Sequence, residues 1–276
     1  MYGVVTRNEP ETEWDAFDRA FYEVKDVTGR GAEPLASAVN MISCFGDTAA
    51  AESSPELVPV DGEGNRATRE QPYFDWAYVC PTHEEYRAGL LETVDDCVAA
   101  NEDVRLDDVG FPRAEYCRCD RCERLFADSD FADRFAWRAD VITEFVADAA
   151  ARIPGRTYFT LYPDPYEGHL YERSGLDLDA IADHVDEFVV PLYDTNYGTT
   201  YWLETIARGF ADRLDAPLSV ELYAVDVDVD ALVHATEVAE EYGSEVFFGY
   251  DASNAAAAIR RKAAANGEGV THGDAA

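Results

Sequence analysis

The chain has 276 residues, of which 47% are hydrophobic, and its 56 acidic residues outnumber 22 basic ones to give a formal net charge of −34. The apolar content suffices for a full-sized core and excludes an acidic disordered chain, while the lack of a basic cluster disfavours binding to nucleic acid or to an anionic membrane. The surplus carboxylates are typical of a solvated surface in multimolar salt, and so of a halophilic archaeal protein.

The thiol content and the lack of long apolar runs indicate the compartment. No stretch of about eighteen apolar residues occurs, and the first residues do not resemble a signal peptide. Six cysteines in a chain of this length do not make a disulfide scaffold, so reduced thiols are expected. These features predict a cytoplasmic protein without membrane spans, and they leave the oligomeric state open, a homo-oligomer included.

Short β-rich runs alternate with helical patterns along most of the chain. The predicted strands are 3–6, 38–45, 74–79, 104–109, 157–162, 187–193, 218–223 and 245–250, and the predicted helices are 13–25, 84–99, 131–151, 176–182, 201–214, 230–242 and 255–265. A polar insertion occupies 46–71. Eight strands alternating with helices over about 250 residues predict an α/β fold, a (β/α)₈ TIM barrel in a single domain over 1–265, with a disordered tail at 266–276. A doubly wound open sheet is the alternative, although no glycine-rich dinucleotide motif follows the first strand.

Acidic residues stand at the predicted strand ends, where the chemistry of such barrels lies. Aromatic residues accompany them, and an acidic cleft with aromatic faces suits a carbohydrate ligand, because sugars present C–H faces to rings and hydroxyls to carboxylates. The predicted substrate-binding residues are Asp164, Tyr193, Asp194, Trp202, Tyr223 and Asp251.

Glu221 is the strongest single candidate for a catalytic carboxylate. In the strand 218–223, Leu218, Val220 and Leu222 alternate with Ser219 and Glu221. The apolar set is expected to face the helices, which directs Glu221 into the barrel. A buried glutamate is costly unless it is partnered or used.

Cys117, Cys119 and Cys122 are crowded into six residues and are poor disulfide partners for one another. They are well placed to converge as thiolates on one soft metal, most plausibly zinc. A closed zinc site needs a fourth ligand, for which Cys80 is the best candidate. His83 on the same loop and Cys44 are the alternatives. Such a site braces loops and carries out no chemistry.

At these residues the chain resembles the β-galactosidases of glycoside hydrolase family 42, which carry a similar cysteine run after the fourth strand and a fourth zinc-binding cysteine after the third. The resemblance implies that Cys80 completes the zinc site, that Asp108 holds the acid/base position and that Glu221 is the nucleophile. The chain departs from the family in having Asp in place of Glu at 108 and Asp107 in place of the preceding Asn. Strand alternation, moreover, points Asp107 rather than Asp108 inward.

Three functions follow as hypotheses. The first is a retaining glycoside hydrolase in which Glu221 attacks the anomeric carbon while Asp108, or Asp107, protonates the leaving oxygen. The second is a catalytically degenerate barrel that binds carbohydrate or serves as a zinc-braced scaffold. The third is metal-assisted hydrolysis with hard ligands from Asp107, Asp108, Asp164 and His169.

Overall fold

The computed structural model describes residues 1–265 and Gly267; the predicted disordered tail therefore lies almost wholly outside the described residues. The strands are β1 (Tyr2–Thr6), β2 (Arg19–Asp26), β3 (Gly29–Arg30), β4 (Val39–Ser43), β5 (Val104–Asp107), β6 (Thr157–Thr160), β7 (Glu187–Pro191), β8 (Leu218–Tyr223) and β9 (Val246–Gly249). The α-helices are α1 (Thr48–Ser53), α2 (Glu84–Ala100), α3 (Asp120–Ala127), α4 (Arg134–Ala150), α5 (His169–Ser174), α6 (Leu178–Ala182), α7 (Tyr201–Arg213), α8 (Val229–Glu240) and α9 (Ala252–Ala265). Among the described helices, none is both long enough and apolar enough to cross a membrane.

Eight of these strands close into a parallel barrel. The order around it is β1, β2, β4, β5, β6, β7, β8 and β9, and β9 pairs with β1 to complete the ring. The short strand β3 lies outside the ring as the antiparallel partner of β2. The predicted (β/α)₈ barrel is confirmed, and the open doubly wound sheet is excluded because the two ends of the sheet meet.

Two apolar layers hold the barrel together. The inner layer fills the ring itself and consists of Val5, Phe21, Val39, Met41, Tyr158, Val189 and Phe247. The outer layer packs the strands against the helices and takes the alternate positions, such as Val104 and Leu106 on β5. Alternation of side chains along each strand assigns successive residues to these two layers.

The second barrel strand is a correction to the sequence prediction. Residues 13–25, predicted as a helix, form the end of a 3-10 turn, a loop and most of β2, whose central residues are all buried. Residues 74–79, predicted as a strand, form a loop in which the Val79 amide donates to the Phe45 carbonyl at 2.8 Å. The pattern misled because β2 carries Glu23 and Lys25 among its buried residues, where charges suggest the exposed face of a helix.

One strand was missed and one was wrongly predicted, so the number of barrel strands before residue 104 is unchanged. Strand 104–109 still contains the fourth barrel strand, β5, and strand 218–223 is still the seventh, β8. Cys80 accordingly lies in the loop that follows the third barrel strand, β4. The strands that carry Asp107 and Glu221 therefore hold the fourth and seventh places in the barrel, as the sequence predicted.

Candidate active site

A cavity of about 390 Å³ opens where the C-terminal ends of the barrel strands meet. Its wall combines carboxylates, two guanidinium groups and aromatic rings. The charged residues are Arg7, Glu23, Asp26, Arg105, Asp107 and Asp108, and the aromatic ones are Trp76, Tyr162, Tyr193 and Tyr250. This is the end at which (β/α)₈ barrels carry their functional sites.

Asp107 and Asp108 both line the cavity, although they are neighbours on one strand. Asp107 shares the inner face of β5 with Arg105, as alternation predicts. Asp108 reaches the same space because its backbone is left-handed, with φ of 49°, a conformation that is uncommon outside glycine and is found at functional sites. Its Oδ2 accepts a hydrogen bond of 2.6 Å from the Ser43 hydroxyl.

The two aspartates differ from ordinary surface carboxylates in their proton affinity. Burial, followed by the neighbouring charge of Asp107, raises the pKa of Asp108 from 3.8 to about 8. Burial also raises the pKa of Asp107, helped by Glu221 and opposed by Arg105. A carboxyl that keeps its proton at neutral pH inside a cavity can act as a general acid.

Glu221 lies inside the barrel with a side chain that is 0% exposed. Its Oε2 is 2.5 Å from Nη2 of Arg105, and its Oε1 accepts a hydrogen bond from the Tyr193 hydroxyl. Both partners line the cavity, and Glu221 itself does not. The carboxylate is therefore held directly behind the cavity wall, covered by Arg105 and Tyr193.

A network that sequence reasoning missed forms another part of the cavity wall. Glu23 is ion-paired with Arg7 and accepts a hydrogen bond of 2.9 Å from the Tyr250 hydroxyl. Burial raises the pKa of Glu23, although Arg7 opposes the shift. Lys25, one of two lysines in the chain, is buried beside it and pairs with Asp47 at 3.1 Å. Glu23 and Lys25 escaped notice because their strand was taken for a helix; the available signal was a lysine in a chain with only two of them.

Gly46 leaves room for the acid. A Cβ at this position would lie 2.9 Å from Asp108 Oδ2, 3.0 Å from Ser43 Oγ and 3.0 Å from Trp76 Nε1. We expect Gly46→Ala to lower the melting temperature, since overpacking typically costs about 1–3 kcal/mol. The control is Gly89→Ala, where a Cβ meets nothing within 4 Å. Equal melting temperatures for the two variants in circular dichroism would contradict this prediction, and would show that the side chains beside Gly46 move aside without loss of stability.

Of the predicted substrate-binding residues, Tyr193 lines the cavity and Tyr223 packs beside it, with ring centroids 5.3 Å apart. The other four do not line it. Asp164 contacts His169 at 3.2 Å, and Trp202 packs on the outer apolar layer. Asp194 accepts a hydrogen bond from the Asn196 amide in a turn. Asp251 accepts one from the Asn254 amide near the start of α9. In an acidic chain, carboxylates at loops often serve turns and helix ends in this way.

The ligand set for metal-assisted hydrolysis is not assembled. Asp107 and Asp108 line the cavity, whereas Asp164 and His169 form their own pair outside it. Among the residues that the structure describes, the metal-type cluster is the cysteine group alone.

The cysteine cluster is formed by Cys80, Cys117, Cys119 and Cys122, whose sulfurs lie within 4.8 Å of one another. The alternatives His83 and Cys44 lie outside it. The Cys122 amide points at the sulfur of Cys119, with a nitrogen-to-sulfur distance of 3.4 Å, a contact that stabilises a thiolate. Four converging thiols suit a soft metal in a closed, four-coordinate site. Cys80 comes from the loop after β4 and the others from the segment after β5, so the cluster joins the loops that carry Trp76 and Asp108.

Comparisons with known proteins agree on the fold. No protein-family profile matches the chain, and no curated protein sequence matches it. Among solved structures, the α-L-fucosidase isoenzyme 2 from Paenibacillus thiaminolyticus superposes with a TM-score of 0.67 at 14% identity, over 97% of this chain and 49% of that one. A family GH18 chitinase from Cycas revoluta superposes with a TM-score of 0.56 at 10% identity, over 98% and 100% of the two chains. The chain thus spans about half the length of the fucosidase. At these identities the likeness shows the fold, and the chain is a (β/α)₈ barrel similar to those of two glycoside hydrolases.

Proposed function

We propose that this protein hydrolyses a glycosidic bond at the mouth of its barrel, with Asp108 as the proton donor. The observation that carries the proposal is a cavity-lining carboxyl with a pKa of about 8, set among aromatic rings. Glycoside hydrolysis needs such an acid, because the leaving oxygen must be protonated as the bond breaks. The fucosidase and chitinase likenesses and the resemblance to β-galactosidases support a carbohydrate as the substrate.

Glu221 is the second carboxylate of the mechanism. Its Oε1 attacks the anomeric carbon, the bond to the leaving oxygen breaks, and Asp108 gives that oxygen its proton. Asp108 then takes a proton from water, which displaces Glu221 with net retention of configuration. Attack requires the Tyr193 hydroxyl to leave Oε1, which it now occupies. Arg105 remains bound to Oε2 and orients the carboxylate.

The direct test is a screen of 4-nitrophenyl glycosides in buffers of increasing salt. The set includes the α-L-fucoside, the β-D-galactoside and the N-acetyl-β-D-glucosaminide. We expect release of 4-nitrophenol from at least one of them and its loss in Asp108→Asn. A parent protein that cleaves none of these and no oligosaccharide would refute the hydrolase.

The pH dependence of turnover follows from the acid. Because Asp108 must be protonated, kcat/KM is expected to fall as the pH rises through about 8. The folded protein also keeps this proton between pH 3.8 and about 8, whereas the unfolded chain releases it, so this group makes folding less favourable as the pH rises through that window. Asp108→Asn should therefore raise the melting temperature at pH 9 relative to the parent protein. Ser43→Ala removes the hydroxyl that donates to Asp108 and should change the pH at which kcat/KM falls. If that pH is the same in Ser43→Ala and in the parent protein, the fall in activity reports another group.

A carbohydrate-binding barrel without catalysis is the second candidate. The observation that favours it is the burial of Glu221 in an ion pair with Arg105. This candidate predicts that sugars bind the parent protein, and that neither the parent protein nor Asp108→Asn releases product. Calorimetric titration of both proteins with the sugars of the screen separates the two functions.

We also propose that the cysteine cluster holds one zinc ion, as a brace between the loops that form the cavity wall. Its support is the donor set of four thiols and their closeness. The ion would have no open position for a substrate, so its contribution is to the folding of the two loops.

A further inference from the structure

Three side-chain donors of cavity-lining residues have no partner among the residues that the structure describes. They are Nε1 of Trp76, Nη1 of Arg105 and the hydroxyl of Tyr162, and all three atoms are shielded from solvent. A buried donor without an acceptor costs about 1–3 kcal/mol, more when it is charged. Buried polar groups are satisfied in nearly all native proteins, by protein, water or ligand. The two nitrogen donors, which the described protein atoms leave without an acceptor, are therefore candidate binding points for a ligand that supplies acceptor atoms.

Arg105 is held rigidly in the position where it would bind such a ligand. The residue is 1% exposed. Its Nε donates to Thr160 Oγ1 at 2.9 Å, and its Nη2 is 2.5 Å from Glu221 Oε2. Two of the three guanidinium nitrogens are thus engaged behind the wall, and Nη1 is the one left for a ligand.

Trp76 presents its indole N–H beside the acid. Trp76 Nε1 and Asp108 Oδ2 lie 3.0 Å and 2.9 Å from the same point next to Gly46, the place where a Cβ would be. The two atoms are therefore at most about 6 Å apart, a separation that one ligand hydroxyl can bridge by accepting from the indole and donating to the carboxyl.

Each of the two nitrogen donors is accompanied by a carboxyl, and this pairing selects the ligand. Arg105 stands two residues from Asp107 on the inner face of β5, and Trp76 faces Asp108 across Gly46. A hydroxyl accepts from a donor and donates to a carboxylate, whereas a carboxylate or phosphate group only accepts. An anionic group would also meet an excess of carboxyls, because the cavity arginines Arg7 and Arg105 are already ion-paired with Glu23 and Glu221.

We propose that Arg105 and Trp76 are substrate-binding residues that take two oxygens of one uncharged sugar, and that their carboxyl neighbours exclude uronic acids and sugar phosphates. The inference rests on the proposed function for the carbohydrate class of the ligand. It adds which residues bind the sugar and which sugars the cavity rejects.

The experiment compares matched neutral and charged sugars by calorimetry and by NMR. The pairs are galactose with galacturonic acid, glucose with glucuronic acid, and galactose with galactose 6-phosphate. Indole N–H signals of the four tryptophans are followed in ¹⁵N-labelled protein, with the Trp76 signal assigned by its loss in Trp76→Phe. We expect a neutral sugar to shift that signal, and we expect Trp76→Phe and Arg105→Lys each to weaken its binding about tenfold. Arg105→Lys keeps a cation beside Glu221, and Trp14→Phe, outside the cavity wall, is the matched control.

The outcomes divide cleanly. Binding of a charged sugar as tightly as its neutral partner, unchanged affinity in folded Trp76→Phe and Arg105→Lys, or no shift of the Trp76 signal with any neutral sugar would each overturn the inference. Binding of neutral sugars without hydrolysis of any glycoside would leave it standing and remove the hydrolase. Hydrolysis that is unaffected by either substitution would overturn the inference and leave the proposed hydrolase standing.

Discussion

Replacing Glu221 by glutamine is expected to abolish turnover, with a loss of about a thousandfold or more, because the amide oxygen cannot form the glycosyl-enzyme intermediate. The geometry adds a second effect. Glutamine leaves Arg105 buried without its ion-pair partner, and removing one partner of a buried ion pair costs about 3 kcal/mol or more. The melting temperature of the variant is therefore determined first by thermal unfolding, and activity is measured well below it.

Glu187 provides the matched control for this substitution. It is also a barrel glutamate buried in an ion pair, with Arg156 at 2.7 Å, but it begins β7 and so lies at the end of the barrel opposite the cavity. Glu187→Gln should lose stability and keep its turnover. If Glu221→Gln keeps the activity of the parent while both variants are folded, Glu221 is a structural anchor for Arg105, and another group serves as the nucleophile.

Removing the metal is expected to have the largest effect on stability. Cys122→Ser, or treatment with a strong chelator, should lower the melting temperature by about 10 °C or more, because the binding energy of a structural zinc ion is folding energy. Elemental analysis of the purified parent protein should give one zinc per chain. The loops bearing Trp76 and Asp108 should loosen together, which hydrogen exchange can follow.

Cys97→Ser is the control, since Cys97 is a buried cysteine in the last turn of α2, outside the cluster. It removes a thiol from the core without removing a ligand. A parent protein without bound metal, or equal destabilisation by Cys122→Ser and Cys97→Ser, would show that the four cysteines pack together without holding a metal ion.

Much of the barrel could be predicted because its strands alternate between two apolar layers. Glu221 was placed inside the ring from the alternation of Leu218, Val220 and Leu222, and the structure shows it there. The second strand could not be predicted in the same way. Glu23 and Lys25 are buried at the mouth of the barrel, where charge is stabilised by Arg7 and Asp47 from other loops, so the local pattern is that of a half-exposed helix.

Periodicity and spacing along the chain are enough to predict the barrel, the cysteine cluster and the carboxylates at the ends of the fourth and seventh strands. What those carboxylates can do depends on contacts that form when the chain folds. Asp108 enters the cavity through a left-handed backbone, which alternation does not foresee. Glu221 is covered by Arg105 and Tyr193, which lie 116 and 28 positions away along the chain. Proton affinity and access depend on such distant neighbours, and chain folding alone brings them together.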